Sequence, residues 1–418
     1  MKKTPGKSPS FETMFIARQP VFTPDESVWG YELLFRTSED NVAVIQDESQ
    51  ATASVIADGL TLAMDGMPQD ARVLINFPEK LLVEDAGFAL PKECCVVEIL
   101  ENVRPTKQNL DAARRLKDAG YTLAVDDFFG QDELRPFAEL ADIIKIDVLA
   151  LDADPARIET ALKGLPARAI MLAEKVEDNE TFKQLRNMGF SLFQGFFFSR
   201  PEIIPGRKLT AAETTKLQIL SELAKPDTEP ARLAAILQSD PSLTYRLFRY
   251  INSAGMGLAE KVTSAKRALD MMGMIRAKQW LRSVIIADLN PSPRAGELAY
   301  LAVHRAKFLE SICSCSNRTV CEPDTLFMTG LFSLLDAMLG MSMDKILKSL
   351  PLEDSVVKAL RGGGDNYDLL RLASSYERGE WGETASRLKR LALDSFQAEL
   401  LYIQSRSWAQ RMLGYSQA

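Results

Sequence analysis

The segments YTLAVDDF (121–128) and IIKIDVL (143–149) decide the fold class of this chain. Both are short and rich in valine, isoleucine, leucine and phenylalanine, which is typical of strands that are buried on both faces. Asp126, Asp127 and Lys145 interrupt these apolar runs, and a buried charge is costly unless it is paired or binds a cation. The two segments therefore predict strands that also carry functional side chains.

Six further strand-like runs flank these segments, and helical patterns such as residues 105–120 and 177–189 separate most of them. The first two runs are too close together for a crossover helix, so we expect them to pair antiparallel as a hairpin. The pattern predicts a TIM-like (β/α)8 barrel whose first strand is antiparallel. An open doubly wound sheet is the alternative, but the sequence has no glycine-rich phosphate loop to support it. The further runs are 14–22, 29–36, 72–77, 95–100, 169–176 and 192–199.

Charge and composition narrow the class of protein. The chain has 418 residues, with 57 acidic against 50 basic side chains and a formal net charge of -7. That balance disfavours a nucleic-acid partner, which would need a basic face. The first residues are polar and no apolar run is long enough for a membrane helix, so we expect neither a signal peptide nor membrane insertion. An odd count of 5 cysteines fits a reducing cytoplasm.

A second domain is expected after the barrel. The segment SRPEIIPGRKL (200–210) has the proline and glycine content of a linker, and helical patterns follow it almost without interruption. The sequence therefore predicts an all-α domain there. The expected division is a flexible N-terminal tail at 1–12, the barrel at 13–203, the all-α domain at 204–408 and a C-terminal tail at 409–418.

Polar side chains recur at or near the C-terminal ends of the predicted strands, and a β/α barrel gathers those ends into one mouth. Carboxylates crowded together there imply a cation, and oxygen ligands suit Mg²⁺ or Mn²⁺ better than zinc. Two such ions would suit attack of water on a phosphodiester. Lone charges such as Asp142, Asp147 and Glu177 are interpreted as solvated or salt-bridged. The recurring residues are Glu32, Asn76, Glu98, Asp126, Asp127, Lys145, Glu174 and Gln194.

Together these motifs resemble the EAL domain, the barrel of cyclic-di-GMP-specific phosphodiesterases. The resemblance covers about the first 205 positions and rests on Gln19-Pro20, Glu32-Leu-Leu-Phe-Arg36, Asn76, Glu98-Ile-Leu-Glu101, Asp126-Asp127-Phe128, Lys145-Ile-Asp147, Ala173-Glu174-Lys-Val-Glu177 and Gln194-Gly-Phe.

The resemblance implies a role for each residue in hydrolysis of cyclic-di-GMP to linear pGpG. Glu32, Asn76, Glu98, Asp126 and Asp127 would hold two Mg²⁺ or Mn²⁺ ions. Lys145 would orient or help activate the attacking water, Glu174 would hold the lysine or a water, and Glu32 counts as catalytic with them. Glu101 would brace the loop after Asp127. Gln19, Arg36 and Gln194 would contact the substrate, and Gln194 would also support the inner ligands.

The sequence departs from the EAL pattern around these ligands. The usual D-D-F-G-T-G-Y-S loop is DDFFGQDE (126–133), and Lys175 replaces the glycine of A-E-G-V-E. Residues that support ligands matter nearly as much as the ligands themselves. Two alternatives to the enzyme therefore stay open: a catalytically silent cyclic-di-GMP sensor, and a scaffold for protein interactions.

The helical half resembles the HDOD domain, an all-α relative of metal-dependent HD phosphohydrolases. The segments SDPSLTYRLFRYINSA (239–254), SAKRALDMMGM (264–274) and MTGLFSLLDAML (328–339) carry this resemblance. An HD site needs several histidines, whereas the chain has only His304, interpreted as a helix-surface or partly buried residue, and Asp336 is interpreted as a packing or capping residue. The resemblance therefore implies a non-catalytic regulatory domain that binds a protein partner. A homodimer is left open.

Overall fold

The computed structural model of the chain describes residues 14–37, 64, 67, 70–199, 209–225, 228–252, 262, 265–290, 292, 294–315, 322–348, 350 and 352–414. Most of the predicted linker at 200–210 and the whole predicted N-terminal tail lie outside these residues.

In the described part of the chain, eight strands form a closed barrel in chain order. The first strand pairs antiparallel with both of its neighbours, and all other neighbouring strands are parallel. The predicted barrel with an antiparallel first strand is therefore confirmed. The strands are β1 Met14–Phe22, β2 Val28–Thr37, β3 Arg72–Phe77, β4 Cys95–Ile99, β5 Thr122–Phe128, β6 Ile143–Asp147, β7 Ile170–Glu174 and β8 Leu192–Gln194.

Helices pack around the described part of the barrel, and their caps explain where several of them begin. Thr106, Asp154 and Asp178 each accept a hydrogen bond from the backbone of the first turn that follows, which satisfies an N–H group without a partner inside the helix. The helices are α1 Glu79–Val83, α2 Lys107–Asp118, α3 Arg135–Ala138, α4 Pro155–Leu162 and α5 Asn179–Asn187.

The last predicted strand is shorter than expected. The run 192–199 was predicted as one strand, but β8 ends at Gln194 and a 3-10 helix follows at Phe197–Ser199. Gly195 makes the break, because its φ is +141° and a Cβ there would lie 2.1 Å from the carbonyl oxygen of Val176. Only glycine fits so close to a neighbouring backbone.

The second half of the chain is helical, as the sequence predicts. Gly273, with a φ of +74°, separates two helices inside the predicted 264–274 segment. The last helix continues through Leu413 and buries Ala409, so it extends into the predicted C-terminal tail. These helices are α6 Ala211–Leu223, α7 Pro230–Ser239, α8 Pro241–Ile251, α9 Ala265–Met272, α10 Met274–Ala287, α11 Ala295–Cys315, α12 Pro323–Phe332, α13 Leu335–Leu339, α14 Met343–Leu347, α15 Asp354–Leu360, α16 Asp365–Glu377, α17 Trp381–Leu391 and α18 Ser395–Leu413.

Helices of the second half contact the β1–β2 hairpin. The Tyr31 hydroxyl donates a hydrogen bond of 3.1 Å to Glu297 Oε2 at the start of α11. The Arg294 guanidinium lies 3.1 Å from Glu26 Oε2, and Gly379 packs against Leu34. The helical region therefore touches the barrel on the strand that carries Glu32. Within the described ranges, no helix combines the length and apolar character needed to cross a membrane.

Candidate active site

Strand periodicity brings the predicted polar residues to one layer of the barrel. Seven apolar side chains form a small buried cluster inside the barrel. Side chains two positions apart in a strand point to the same face, so in six strands the residue two places beyond a cluster member also points inward, nearer the C-terminal end. The six pairs are Leu74–Asn76, Val96–Glu98, Ala124–Asp126, Ile143–Lys145, Leu172–Glu174 and Leu192–Gln194.

Lys145 lies at the centre of this layer and is only 1% exposed. Its ammonium contacts four carboxylates from four strands. The Nζ atom is 3.1 Å from Glu32 Oε2, 2.8 Å from Asp126 Oδ1 and 2.9 Å from Glu174 Oε1, and it also contacts Glu98 Oε1. The structure therefore brings together the predicted lysine and four of the predicted acids.

Two amides hold the carboxylate of Glu32 in place. Gln194 Nε2 donates to Glu32 Oε2 over 2.6 Å, and Asn76 Nδ2 donates to Glu32 Oε1 over 3.3 Å. Glu32 itself is largely buried. Its orientation is therefore fixed from three sides, by Lys145, Gln194 and Asn76.

Burial and mutual repulsion shift the pKa values of this layer in opposite directions. Burial raises the pKa of Glu98 well above its usual range, and repulsion from Glu32 adds to the effect. Burial likewise raises the pKa of Glu174 well above its usual range. The pKa of Asp126 is lowered despite burial, chiefly because of the charge of Lys145. Burial would lower the pKa of Lys145, but the surrounding carboxylates raise it well above its usual range.

A second polar group lies beside this layer, at the ends of β5, β6 and β7. The Lys175 ammonium is 2.8 Å from Asp127 Oδ1 and 2.6 Å from Asp147 Oδ2. Carboxylate oxygens of Glu101, Asp126 and Asp127 all lie within 4.8 Å of one another. Asp126 belongs to this triplet and also contacts Lys145, so it connects the two polar groups.

The donor set fits divalent cations such as Mg²⁺ or Mn²⁺. Glu98 Oε2 and Glu174 Oε2 are buried, and neither has a hydrogen-bond partner within the part of the chain that the structure describes. An unsatisfied buried acceptor is costly, and the single charge of Lys145 faces four carboxylates. Oxygen ligands are what hard divalent cations prefer. The acceptors and the excess of negative charge therefore suit added positive charge at this position.

The predicted substrate-binding residues are only partly described. Gln19 on β1 is opposite Glu32 in the antiparallel ladder, and Gln194 reaches Glu32 as given above. The backbone of Arg36 lies in β2, but its side chain lies outside the described residues. Glu101 is exposed just beyond β4, where it neighbours Asp126 and Asp127 rather than the layer around Lys145. The roles of these residues stay predictions.

Two contacts at or near the site were missed from the sequence. The sequence marks Lys175 only as a departure from the family pattern and Asp147 only as an ordinary salt-bridge residue, but the two form one group with Asp127. A signal existed, because a lysine in place of a glycine beside several acids predicts an ion pair. The Tyr31–Glu297 contact had no comparable signal.

The only histidine lies deep in the helical region, so its interpretation as a surface or partly buried residue was wrong. His304 is 2% exposed, and its Nε2 lies 3.1 Å from the carbonyl oxygen of Tyr402. Burial lowers the pKa of His304 to about 3, which keeps the ring neutral. Asp336 lies in the first turn of α13 and accepts a hydrogen bond from the backbone of Ala337.

The comparisons with known proteins agree on both halves of the chain. Family models match the EAL domain at residues 10–201 and the HDOD domain at residues 209–344. The protein YuxH of Bacillus subtilis (strain 168) is 33% identical over 410 residues, which cover 96% of this chain and 99% of that protein. The cyclic di-GMP phosphodiesterase CdgJ of Vibrio cholerae serotype O1 is 32% identical over 411 residues, 97% of this chain and 95% of that protein.

One solved structure to which the chain is similar is Klebsiella pneumoniae BlrP1 in a complex with manganese and cyclic di-GMP. It is 24% identical, with a TM-score of 0.35, and the match covers 47% of this chain and 58% of that one. The two full-length relatives, in contrast, match the barrel and the helical region together.

Proposed function

Because the chain belongs to the family of proteins that join an EAL domain to an HDOD domain, we propose that it is a phosphodiesterase that hydrolyses cyclic di-GMP to linear pGpG with two divalent cations. The observation that carries the proposal is the convergence of four carboxylates on Lys145 inside the barrel mouth. A full-length relative named as a cyclic di-GMP phosphodiesterase supports the choice of substrate.

Each polar residue of the barrel mouth has a proposed task. Glu32, Asn76, Glu98 and Asp126 would hold one ion, with Asp126 shared and Asp127 and Glu101 close to the second. Mg²⁺ or Mn²⁺ bound there would supply Lewis acidity toward the phosphate and the attacking water. Gln194 fixes Glu32, so a loss of the amide should disturb the ligand geometry even without contact to an ion.

Lys145 and Glu174 form the part of the machinery that handles the attacking water. Glu174 binds the lysine through Oε1, while its buried Oε2 has no partner in the described structure. That oxygen is free to accept a hydrogen bond from a water molecule. Lys145, which contacts Glu174 Oε1, would help to orient or activate that water. Attack of the water oxygen on phosphorus would form one P–O bond and break a P–O bond of the cyclic ring, and the departing ribose oxygen would take up the proton that the water gives up.

We further propose that the helical domain is not catalytic and regulates the barrel through β2. Its His304 is buried against Tyr402 and neutral, so it is not placed to bind a metal. Tyr31, bonded to Glu297 of α11, is adjacent to Glu32 but points to the opposite face of the same strand. A shift of α11 would therefore move Tyr31 and, through the peptide bond that joins them, the proposed metal ligand Glu32. A protein partner for the helical domain, a homodimer and a cytoplasmic location stay predictions.

The test of the enzyme is chromatographic analysis of purified protein incubated with cyclic di-GMP and Mn²⁺. The parent should release pGpG, and Glu32→Gln should lower the rate by about 100-fold or more because it removes a ligand. The exposed Glu84→Gln makes the same chemical change outside the site and should keep the parental rate.

Other outcomes have defined meanings. If the intact dinucleotide binds and stabilises the parent but no pGpG appears, the protein is the sensor of the first alternative and the phosphodiesterase proposal is refuted. If the dinucleotide neither binds nor reacts, the scaffold alternative is favoured. Equal turnover by parent and Glu32→Gln would refute the assignment of the site.

A further inference from the structure

The position of Lys175 at the end of β7 is unusual for a non-glycine residue. Its φ is +57°, in the left-handed region that glycine adopts at no steric cost. Asp127, with which it pairs, also has a positive φ of +43°. Such backbone conformations persist only when surrounding contacts hold them. Here the two strained residues hold each other through their side chains.

The Lys175 ammonium bridges two carboxylates that come from different strands. Its Nζ lies 2.8 Å from Asp127 Oδ1 and 2.6 Å from Asp147 Oδ2, and the lysine side chain is 44% exposed. Asp147 is held from a second side, because its Oδ1 accepts a hydrogen bond from the backbone N–H of Ala150. The ammonium is therefore anchored at Asp147 and reaches toward Asp127.

Asp127 is also one of the three carboxylates that are close enough to share a cation. It forms this triplet with Glu101 and Asp126, and Asp126 extends to Lys145. Two ligands of the triplet thus already carry a cationic partner before any metal ion arrives: Asp126 pairs with the buried Lys145, and Asp127 pairs with the exposed Lys175. The Lys175 ammonium and an incoming metal ion compete for Asp127, because like charges a few ångströms apart repel strongly where water is partly excluded.

We propose that Lys175 acts as a built-in competitor for the second divalent cation, so that this chain loads its second site only at higher cation concentration than it would without the lysine. To bind, the ion must displace the ammonium from Asp127 or share the oxygen with it. The anchor at Asp147 keeps the displaced ammonium nearby. The second site would therefore respond to the free concentration of divalent cation, and Lys175 would be the residue that determines this threshold. The inference rests on the proposed metal centre.

Three substitutions of Lys175 separate charge from backbone effects. Lys175→Met removes the charge and keeps a long side chain at the same strained φ. Lys175→Gly removes both charge and strain. Lys175→Arg keeps the charge and should behave as the parent does. Lys183→Met, at an exposed position of α5, is the matched control for the loss of one positive charge from the barrel.

The primary readout is Mn²⁺ binding to the otherwise metal-free protein, followed by electron paramagnetic resonance and calorimetry without substrate. We expect Lys175→Met and Lys175→Gly to tighten the weaker of two Mn²⁺ sites by about 10-fold to 100-fold, since removal of one nearby charge is worth that order. The stronger site should change little. The Mn²⁺ concentration for half-maximal turnover should fall in parallel.

The possible outcomes distinguish this inference from the proposed function. If the parent binds two Mn²⁺ ions and both sites are unchanged in Lys175→Met and Lys175→Gly, the competitor role is refuted while the metal centre stands. The competitor role is also refuted if Lys183→Met tightens the weaker site equally. If neither parent nor variants bind Mn²⁺, the metal centre fails and the inference fails with it.

Discussion

Glu297 should make the stability of the protein depend on pH between about 4.5 and 7, mostly above the range in which ordinary carboxylates titrate. Its side chain is 8% exposed and accepts the hydrogen bond from Tyr31. Burial raises the pKa of Glu297 from 4.5 to about 7. The substitution Glu297→Gln keeps an oxygen acceptor for Tyr31 and removes the titration, so it isolates the effect of the carboxyl proton.

The sign of the effect follows from proton linkage. Below pH 4.5 the carboxyl is protonated in both the folded and the unfolded chain, and its contribution to stability is fully present. As the pH rises from there through about 7, the unfolded chain gives up the proton first, and stability is lost. One pKa unit corresponds to about 1.4 kcal/mol, so the whole shift is worth about 3 kcal/mol.

The assay is denaturant unfolding of parent and Glu297→Gln between pH 4.5 and 8, followed by tryptophan fluorescence and circular dichroism. The difference in the free energy of unfolding, parent minus variant, should fall by about 3 kcal/mol across this range. The exposed Glu322→Gln is the control and should track the parent. A difference that stays constant with pH would refute the argument that Glu297 is buried as a neutral acid.

The same variant tests whether the contact between the domains matters for turnover. Ionised Glu297 would be a buried charge beside the Tyr31 hydroxyl and the Arg18 guanidinium, and the cost of burial exceeds what these two groups offset, so rising pH should loosen the contact with β2. If this contact regulates the barrel, the pH profile of turnover by Glu297→Gln should differ from that of the parent between about pH 6 and 8, around the raised pKa. Superimposable profiles would separate the contact from catalysis.

Two further predictions concern the helical region. Burial lowers the pKa of His304 from 6.5 to about 3, so the contribution of the neutral ring to stability is present above pH 6.5 and is lost as the pH falls toward 3. By pH 4 the parent should have lost about 3 kcal/mol of unfolding free energy relative to His304→Leu. Acid-unfolding curves of the same shape for parent and variant would contradict this prediction. A Cβ on Gly330 would lie 2.4 Å from the backbone nitrogen of Ala306, whereas a Cβ on Gly382 would have no atom within 4 Å. In thermal unfolding, Gly330→Ala should therefore lower the stability by about 2 kcal/mol or more, and Gly382→Ala should not lower it. Equal melting temperatures of the two variants would refute the close approach of α11 and α12.

The barrel and its inner polar layer were predictable because both follow from short-range rules. A period of two places Lys145 above Ile143 and Glu174 above Leu172 without knowledge of the rest of the chain. Closure of the barrel then brings together residues from different strands. The strand pattern by itself thus predicts that these acids converge.

The contacts that escaped prediction depend on backbone geometry and long-range packing, which the strand pattern alone does not fix. Whether Lys175 reaches Asp127 depends on the left-handed backbone conformation of Lys175, which a lysine in the sequence does not predict. Tyr31 and Glu297 are separated by 266 positions, and only the packing of the helical region on the hairpin brings them together. His304 was misplaced because helix periodicity alone does not say which helices cover each other.

The charges of the site suggest how its parts depend on each other. Lys145 offsets the negative charge of the inner carboxylates, Asp126 among them, from within the barrel. Lys175 lies outside that layer and contacts Asp127 and Asp147 at the ends of β5 and β6. Since Asp126 faces both groups, an ion that displaced Lys175 from Asp127 would also attract Asp126 away from Lys145. Binding of a cation at Asp127 would then weaken the contact between Asp126 and Lys145, one of the four contacts of the buried lysine. The exposed ammonium is therefore positioned to influence Lys145, a residue it does not touch, through a single shared carboxylate.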